Sequence, residues 1–212
     1  MDSTRFLLFM LAAALPAYVL GSVNGALITS KYLYRKDIRE FGSGNPGLTN
    51  FYRVFGKGGA LLVVAIDVFK SVAPVLFGGW LFGQFFEMTY FGRVMAGFFV
   101  MMGHCFPVFY RFQGGKGVMA AGTIFIIIDW RIAIIAWGLF IILTALTRYV
   151  SLAAIIGCAA FPVAQHLLGL GGYREMICAV ACAVLLIARH HANIKRLVRG
   201  EESKFSFRRR KK

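Results

Sequence analysis

The stretch FLLFMLAAALPAYVLGSVNGALITS, residues 6–30, decides the fold class because it contains no Asp, Glu, Lys or Arg. A helix crosses the hydrocarbon core of a bilayer with about 20 apolar residues, so this stretch is long enough to span a membrane. Residues 149–173 form a second stretch of the same kind. Over the whole chain 58% of the residues are hydrophobic and the mean hydropathy is +0.69, well above the values of soluble domains. The sequence therefore predicts an integral membrane protein.

The spanning segments are predicted to be helices. Helices and closed β-barrels are the two structures that satisfy every backbone polar group in lipid. A barrel requires apolar and polar residues to alternate, whereas the apolar runs here are continuous. We therefore expect an all-α polytopic membrane protein, with residues 1–212 in a single domain and seven transmembrane helices. The predicted spans are residues 6–29, 58–82, 92–110, 117–128, 132–147, 150–169 and 174–190.

The distribution of basic residues predicts the orientation. With seven spans, Lys70 lies within the membrane and nineteen of the 24 Lys and Arg residues fall on one side. The four on the other side are Arg5, Arg93, Arg131 and Arg174. Because basic loops stay inside, we expect the N-terminus outside and the C-terminus in the cytoplasm. The basic tail, residues 203–212, then faces anionic lipid headgroups.

The net charge of +15 does not indicate nucleic-acid binding, since no soluble basic face or known binding fold accompanies it.

Four polar segments interrupt the apolar chain, and this topology places all of them at the cytoplasmic ends of spans. They are Gly42–Asn50 with Arg53, Gly114–Gly117, Ser151, and His190–Asn193. Glycine-rich loops expose amide N–H groups that bind anions, and the forked guanidinium of arginine matches phosphate. This composition beside lipid predicts phosphate chemistry on a lipid precursor. The candidate phosphate-binding residues are Ser43, Gly44, Asn45, Thr49, Asn50, Arg53, Gly114, Gly115, Lys116 and Gly117.

Each polar segment taken alone also has a simpler interpretation. Ser-Gly-Asn-Pro-Gly is ordinary turn chemistry, and a lone Gly-Gly-Lys-Gly is a weak signal. The latter is not a Walker A loop, because Gly117 and Val118 follow Lys116 in place of Ser or Thr. The segment after residue 189 also fits a basic helix at the membrane interface.

Three polar residues fall inside predicted spans. Asp67 and Lys70 are three residues apart, so they share one helix face, and we expect them to form an ion pair. For His104 a structural hydrogen bond to another helix is favoured over direct contact with a ligand.

Together the polar segments resemble one family, the bacterial acyl-phosphate:glycerol-3-phosphate acyltransferases (PlsY). The resemblance rests on five stretches, which are residues 21–56, IDVFKS (66–71), GHCFPVFYRFQGGKGV (103–118), Ser151-Leu152 and RHHANIKRLVRGEE (189–202). It implies a seven-span enzyme of the bacterial inner membrane with a cytoplasmic active site. The implied reaction transfers a fatty acyl group from acyl phosphate to the sn-1 hydroxyl of glycerol 3-phosphate. It also implies a functional link to the soluble enzyme that makes acyl phosphate.

The resemblance maps the catalytic roles onto His190, Lys116, Ser151 and Asn193. His190 is the protein's candidate general base, although the phosphate of the substrate is an alternative acceptor for the proton. Which group binds which phosphate stays open. No metal-binding spacing of Cys or His is present, so we expect neither a metal nor a cofactor.

Two other classes compete with this interpretation. Acyltransferases that use thioesters carry His-x4-Asp, and no Asp follows any of the four histidines at that spacing. A transporter of a phosphorylated solute is the other alternative. Transporters are usually built from inverted repeats with a binding site at the midplane, whereas this sequence has no evident repeat and its polar segments share one side.

Overall fold

A computed structural model of the chain describes residues 2–205, and this part of the chain contains helices but no strands. Residues 206–212, which belong to the predicted basic tail, lie outside the described part. The α-helices are α1 (Ser3–Gly21), α2 (Gly25–Tyr34), α3 (Leu48–Phe55), α4 (Ala60–Phe86), α5 (Thr89–Cys105), α6 (Val118–Ile128), α7 (Trp130–Thr147), α8 (Val150–Leu167), α9 (Tyr173–Arg189) and α10 (His191–Val198).

Five helical segments in the described part of the chain are long and apolar enough to cross a membrane. They are Ser3–Tyr34, Ala60–Phe86, Thr89–Tyr110, Trp130–Thr147 and Val150–Leu167. The pair α9 and α10, bent by 60°, makes a sixth if it counts as one span. Helix α6 has 11 residues, fewer than a straight crossing needs. The prediction of an all-α, multi-span membrane protein is confirmed, while the count of seven and the orientation remain predictions.

The first predicted span is interrupted between α1 and α2. Asn24 begins α2 by accepting a hydrogen bond from Leu27 N at 2.9 Å through its side-chain oxygen. Its amide nitrogen donates to Pro46 O at 3.1 Å, so the break also holds the loop before α3. An asparagine that caps a helix inside an apolar run explains why the span is two helices instead of one.

Glycines let α5 approach its neighbours closely. A Cβ on Gly103 would overlap backbone atoms of Tyr18 and Ser22, so α1 and α5 pack backbone against backbone. A Cβ on Gly92 would likewise overlap Gly78 O of α4. Small residues at such contacts are the usual basis of tight helix packing in membranes.

The charged residues of α4 pair as the sequence predicts. Lys70 Nζ lies 2.8 Å from Asp67 Oδ1, and the two side chains are 2% and 1% exposed. Lys70 also donates to His104 Nδ1 at 2.8 Å. This bond confirms the structural link from His104 to another helix, and it gives the buried charges the partners that a low-dielectric interior requires.

We predict that Gly103→Ala lowers the midpoint of thermal unfolding of the purified protein in detergent. The added methyl group must displace the backbone of α1, and overpacking of this kind typically costs about 1–3 kcal/mol. Gly138→Ala is the matched control, because a Cβ at that helical glycine has no atom within 4 Å. Equal unfolding midpoints for the two variants would show that α1 and α5 can move apart without a loss of stability.

Candidate active site

A cavity of about 290 Å³ lies where the loop before α3, the first turns of α6 and α8, and the junction of α9 with α10 meet. It brings together most of the site residues predicted from the sequence. Those that line it are Ser43, Asn45, Thr49, Asn50, Arg53, Lys116, Gly117, Ser151, His190 and Asn193. Two loops border the cavity, a first loop of residues 42–50 and a second loop of residues 114–117. Gly44 of the first loop, and Gly114 and Gly115 of the second, are not among the lining residues.

The first loop is held by Asn50 of α3. Its side-chain oxygen accepts from Ser43 N at 2.9 Å, and its amide nitrogen donates to Phe41 O at 3.0 Å. Gly42 has φ +61°, and a side chain there would overlap the Asn50 oxygen. The amide of Asn50 is therefore engaged with the loop backbone, and this leaves Ser43, Asn45 and Thr49 as the loop's cavity-facing groups.

Arg189 of α9 holds the second loop by its backbone carbonyl groups. The Arg189 guanidinium donates to Gly114 O at 3.0 Å and to Gly115 O at 3.1 Å. Gly115 N donates to His104 O at 3.1 Å. Gly117, with φ +82°, then turns the chain into α6. Lys116 is thus fixed beside a helix N-terminus, where the helix dipole and free amide groups favour an anion.

A carboxylate connects the polar groups of α8 and α10. Glu202 Oε1 accepts from Ser151 Oγ at 2.7 Å and from Asn193 Nδ2 at 2.6 Å. Arg196 Nε donates to Glu202 Oε2 at 2.7 Å. The Asn193 oxygen in turn accepts from Lys116 Nζ at 2.5 Å. Glu202 therefore holds the side chains of Ser151, Asn193 and Arg196 in place, and Asn193 in turn holds Lys116.

Sequence reasoning missed two of these residues. Glu202 lies in the stretch that carries the family resemblance, without a predicted role, and Arg196 lies in the segment that also fits a basic interfacial helix. Burial alone would raise the pKa of the Glu202 carboxyl. The hydrogen bonds from Asn193, Ser151 and Arg196 outweigh that effect and hold its pKa below the usual range, so the group is ionised. The signal that could have indicated Glu202 as a site residue is an acidic side chain in an otherwise basic segment.

His190 faces the cavity at the end of α9 and is 2% exposed. Its Nδ1 lies 2.8 Å from Leu186 O, which can only accept, so Nδ1 carries the proton. In the neutral ring Nε2 is then the free acceptor. A histidine oriented in this way can take a proton from a hydroxyl group.

Lys116 is a partly desolvated cation. Burial lowers its pKa to about 8, and the positive charges of Arg196, Arg189 and Arg53 act in the same direction, while Glu202 opposes them. The excess of cations over anions around this ammonium group makes the cavity a site for an anion.

A smaller apolar pocket of about 30 Å³, the apolar slot, lies next to the cavity between α6, α7 and α8. Val118, Trp137 and Phe140 line both spaces. Small residues, including Gly122, Ala136 and Gly157, line the slot, and the two glycines let α7 pack closely against α6 and α8. A cavity with cations and hydrogen-bond donors thus adjoins a smaller pocket whose lining is mainly apolar.

Known proteins match this chain over nearly its whole length. A family model described as glycerol-3-phosphate acyltransferase matches residues 11–200. A glycerol-3-phosphate acyltransferase of Thermoanaerobacter pseudethanolicus is 38% identical over 197 residues, covering 93% of this chain and 96% of that protein. One of Staphylococcus aureus (strain Newman) is 32% identical over 207 residues, covering 94% of this chain and 100% of that protein.

Two solved structures share the fold. The glycerol 3-phosphate form of PlsY, an integral membrane glycerol 3-phosphate acyltransferase, has a TM-score of 0.83 at 30% identity, covering 93% of this chain and 96% of that one. Its lysophosphatidic acid form has a TM-score of 0.80 at 29% identity, covering 93% and 95%. The chain belongs to the glycerol-3-phosphate acyltransferase family.

We predict that kcat/KM for glycerol 3-phosphate falls as the pH rises through about 8, the pKa of Lys116. We expect the ammonium form to bind the phosphate and deprotonation above that pKa to remove the charge, so that the loss approaches about tenfold per pH unit. Initial rates over pH 6–10 measure this limb. Lys116→Arg keeps the positive charge to higher pH and should move the limb upward. Coinciding limbs in the two proteins would assign the alkaline loss to another group.

Proposed function

We propose that this acyltransferase moves a fatty acyl group from acyl phosphate to the sn-1 hydroxyl of glycerol 3-phosphate, yielding lysophosphatidic acid and inorganic phosphate. The observation that carries the proposal is a polar cavity, lined by Lys116 and Arg53, that adjoins the apolar slot at Trp137 and Phe140. An acyl phosphate likewise has a polar end and an apolar end. The glycerol 3-phosphate and lysophosphatidic acid forms of the related structures agree with this substrate and this product.

The donor is a mixed anhydride and is already activated, so the enzyme has to supply position and charge stabilisation. The sn-1 oxygen of glycerol 3-phosphate attacks the acyl carbonyl carbon and forms the ester bond. The bond from that carbon to the phosphate oxygen breaks, and inorganic phosphate leaves with the electron pair. No covalent acyl-enzyme intermediate is required, and fixed cations near the developing negative charge lower the barrier.

We assign the proton of the attacking hydroxyl to His190. Its Nδ1–H is directed to Leu186 O, which leaves Nε2 as the acceptor on the cavity side. The phosphate of the substrate is the competing acceptor, because a phosphate dianion also takes a proton near neutral pH. Substitution of His190 separates the two possibilities.

The remaining residues position the substrates. Lys116 and Arg53 bind the phosphate groups, while Ser43, Asn45 and Thr49 orient glycerol 3-phosphate from the first loop. Ser151 and Asn193 act from a fixed arrangement, since the Glu202 carboxylate accepts a hydrogen bond from each. Preorganised donors of this kind are worth more in a water-poor site than in solution.

The proposal includes a location. With α6 counted as a short seventh span, the cavity opens toward the cytoplasm of a bacterial inner membrane. The excess of basic residues on that side supports this orientation. Residues 1–212 then form one domain, which receives acyl phosphate made by a soluble enzyme and glycerol 3-phosphate from the same compartment.

The donor is tested by following phosphate release from palmitoyl phosphate by the purified protein in detergent or lipid cubic phase. We expect release that depends on glycerol 3-phosphate and is abolished by Lys116→Ala. A parallel reaction contains palmitoyl-CoA in place of the acyl phosphate. Turnover with the thioester alone would overturn the donor assignment.

We predict that His190→Ala lowers kcat by about 10²–10⁴-fold, because a positioned general base contributes a factor of that size. His191→Ala is the matched control, since His191 is exposed and, within residues 2–205, its Nδ1 contacts Ala188 O alone, at 3.1 Å. Steady-state kinetics with both substrates varied give kcat for each variant. A drop of only a few-fold in His190→Ala would transfer the base role to the substrate phosphate.

A further inference from the structure

The contacts of Lys70 determine which nitrogen of His104 carries the proton. An ammonium group has three N–H donors and no acceptor. Lys70 Nζ has three acceptors around it, Val23 O at 2.6 Å, Asp67 Oδ1 at 2.8 Å and His104 Nδ1 at 2.8 Å. All three donors are therefore used. His104 Nδ1 must accept, because an N–H at that position would point at an ammonium group.

It follows that neutral His104 carries its proton on Nε2, so that Nε2 is a hydrogen-bond donor. This nitrogen faces Gly115, and a Cβ on Gly115 would overlap it. The absence of a side chain at Gly115 thus leaves the space beside Nε2 unfilled by a side chain. His104 lines the cavity with Lys116, although only 3% of it is exposed. No residue between 2 and 205 accepts a hydrogen bond from Nε2.

We propose that His104 Nε2–H is a substrate-binding donor that contacts a phosphoryl oxygen held over the glycine loop. The proposal rests on the proposed function in so far as the phosphoryl group belongs to glycerol 3-phosphate or to acyl phosphate. Lys70 is a positioning residue, because it acts through the ring of His104.

The charges around the ring favour a phosphoryl oxygen as the acceptor. Asp67 also lines the cavity, and an unpaired carboxylate would repel an approaching phosphate. Its ion pair with Lys70 cancels that charge at a distance of 2.8 Å. Lys116 comes directly after Gly115, so the Nε2 donor and the Lys116 ammonium group belong to one anion-binding surface.

A purely structural role for His104 makes a different prediction. In that case the ring serves only to accept from Lys70 and to join α4 to α5. Two amide side chains of different length test the roles of Nδ1 and Nε2 separately. His104→Asn places an oxygen near the Nδ1 position, which preserves the acceptor for Lys70 but lacks the distal donor. His104→Gln reaches the Nε2 position with an N–H group and restores the distal donor.

The test is equilibrium binding of glycerol 3-phosphate and of a non-transferable alkyl phosphonate analogue of acyl phosphate, measured by calorimetry on the purified full-length protein. We expect His104→Asn to weaken one ligand about ten- to hundredfold, as the loss of a hydrogen bond to a charged group does, and His104→Gln to recover most of it. The ligand that is weakened identifies the phosphoryl group. Wild-type affinity for both ligands in His104→Asn, or equal weakening in both variants, would overturn the proposal.

Binding needs no turnover, so failure of the proposed donor in the kinetic assay leaves this result intact. A measurement on the wild-type protein covers the case in which a variant does not fold. Nitrogen-15 labelling of the four histidines, with His104 assigned by comparison, reports the tautomer directly. We expect a protonated Nε2 whose proton resonance moves downfield when glycerol 3-phosphate or the phosphonate is added. A protonated Nδ1, or no response to either ligand, would overturn the proposal.

Discussion

The triple contact of the Lys70 ammonium group is the interaction on which the rest of the structure depends. Lys70 donates to Val23 O at the break between α1 and α2 and to His104 at the end of α5. It also pairs with Asp67 on α4, the helix that carries both residues. A charge at this depth is stable only when all its donors are used. Both loops of the cavity begin from elements that this contact fixes. The first loop is held by Asn24 at the break, and the second by the backbone oxygen of His104.

A second charged group organises the opposite wall of the cavity. The Glu202 carboxylate fixes Ser151 of α8 together with Asn193 and Arg196 of α10. Both acids that line the cavity, Asp67 and Glu202, therefore have direct basic partners. The cations Lys116 and Arg53 have no carboxylate within salt-bridge distance among the described residues. The cavity keeps a positive potential, which favours anions, while it also buries two carboxylates.

The close approach of the helices makes this arrangement possible in an apolar environment. Hydrophobic burial does not drive helices together in lipid, so contact relies on packing and on hydrogen bonds. Gly103 and Gly92 bring α5 against α1 and α4, and the polar groups then meet at hydrogen-bond distance. Gly122 and Gly157 likewise let α7 pack closely against α6 and α8 beside the apolar slot.

The sequence by itself determined the membrane class, the helical fold, the Asp67–Lys70 pair and ten of the 23 residues that line the cavity. Those features follow from composition, from local spacing, or from motifs that each lie within a few residues. Only the tertiary structure decided that the first apolar run is two helices and that Asn50 holds its loop. It also decided that Glu202 contacts Ser151 and that Lys70 contacts His104. Each of the last two contacts joins residues far apart in the chain, 51 positions in one case and 34 in the other. No local pattern encodes such a meeting, because it depends on how closely the glycine-lined helices pack.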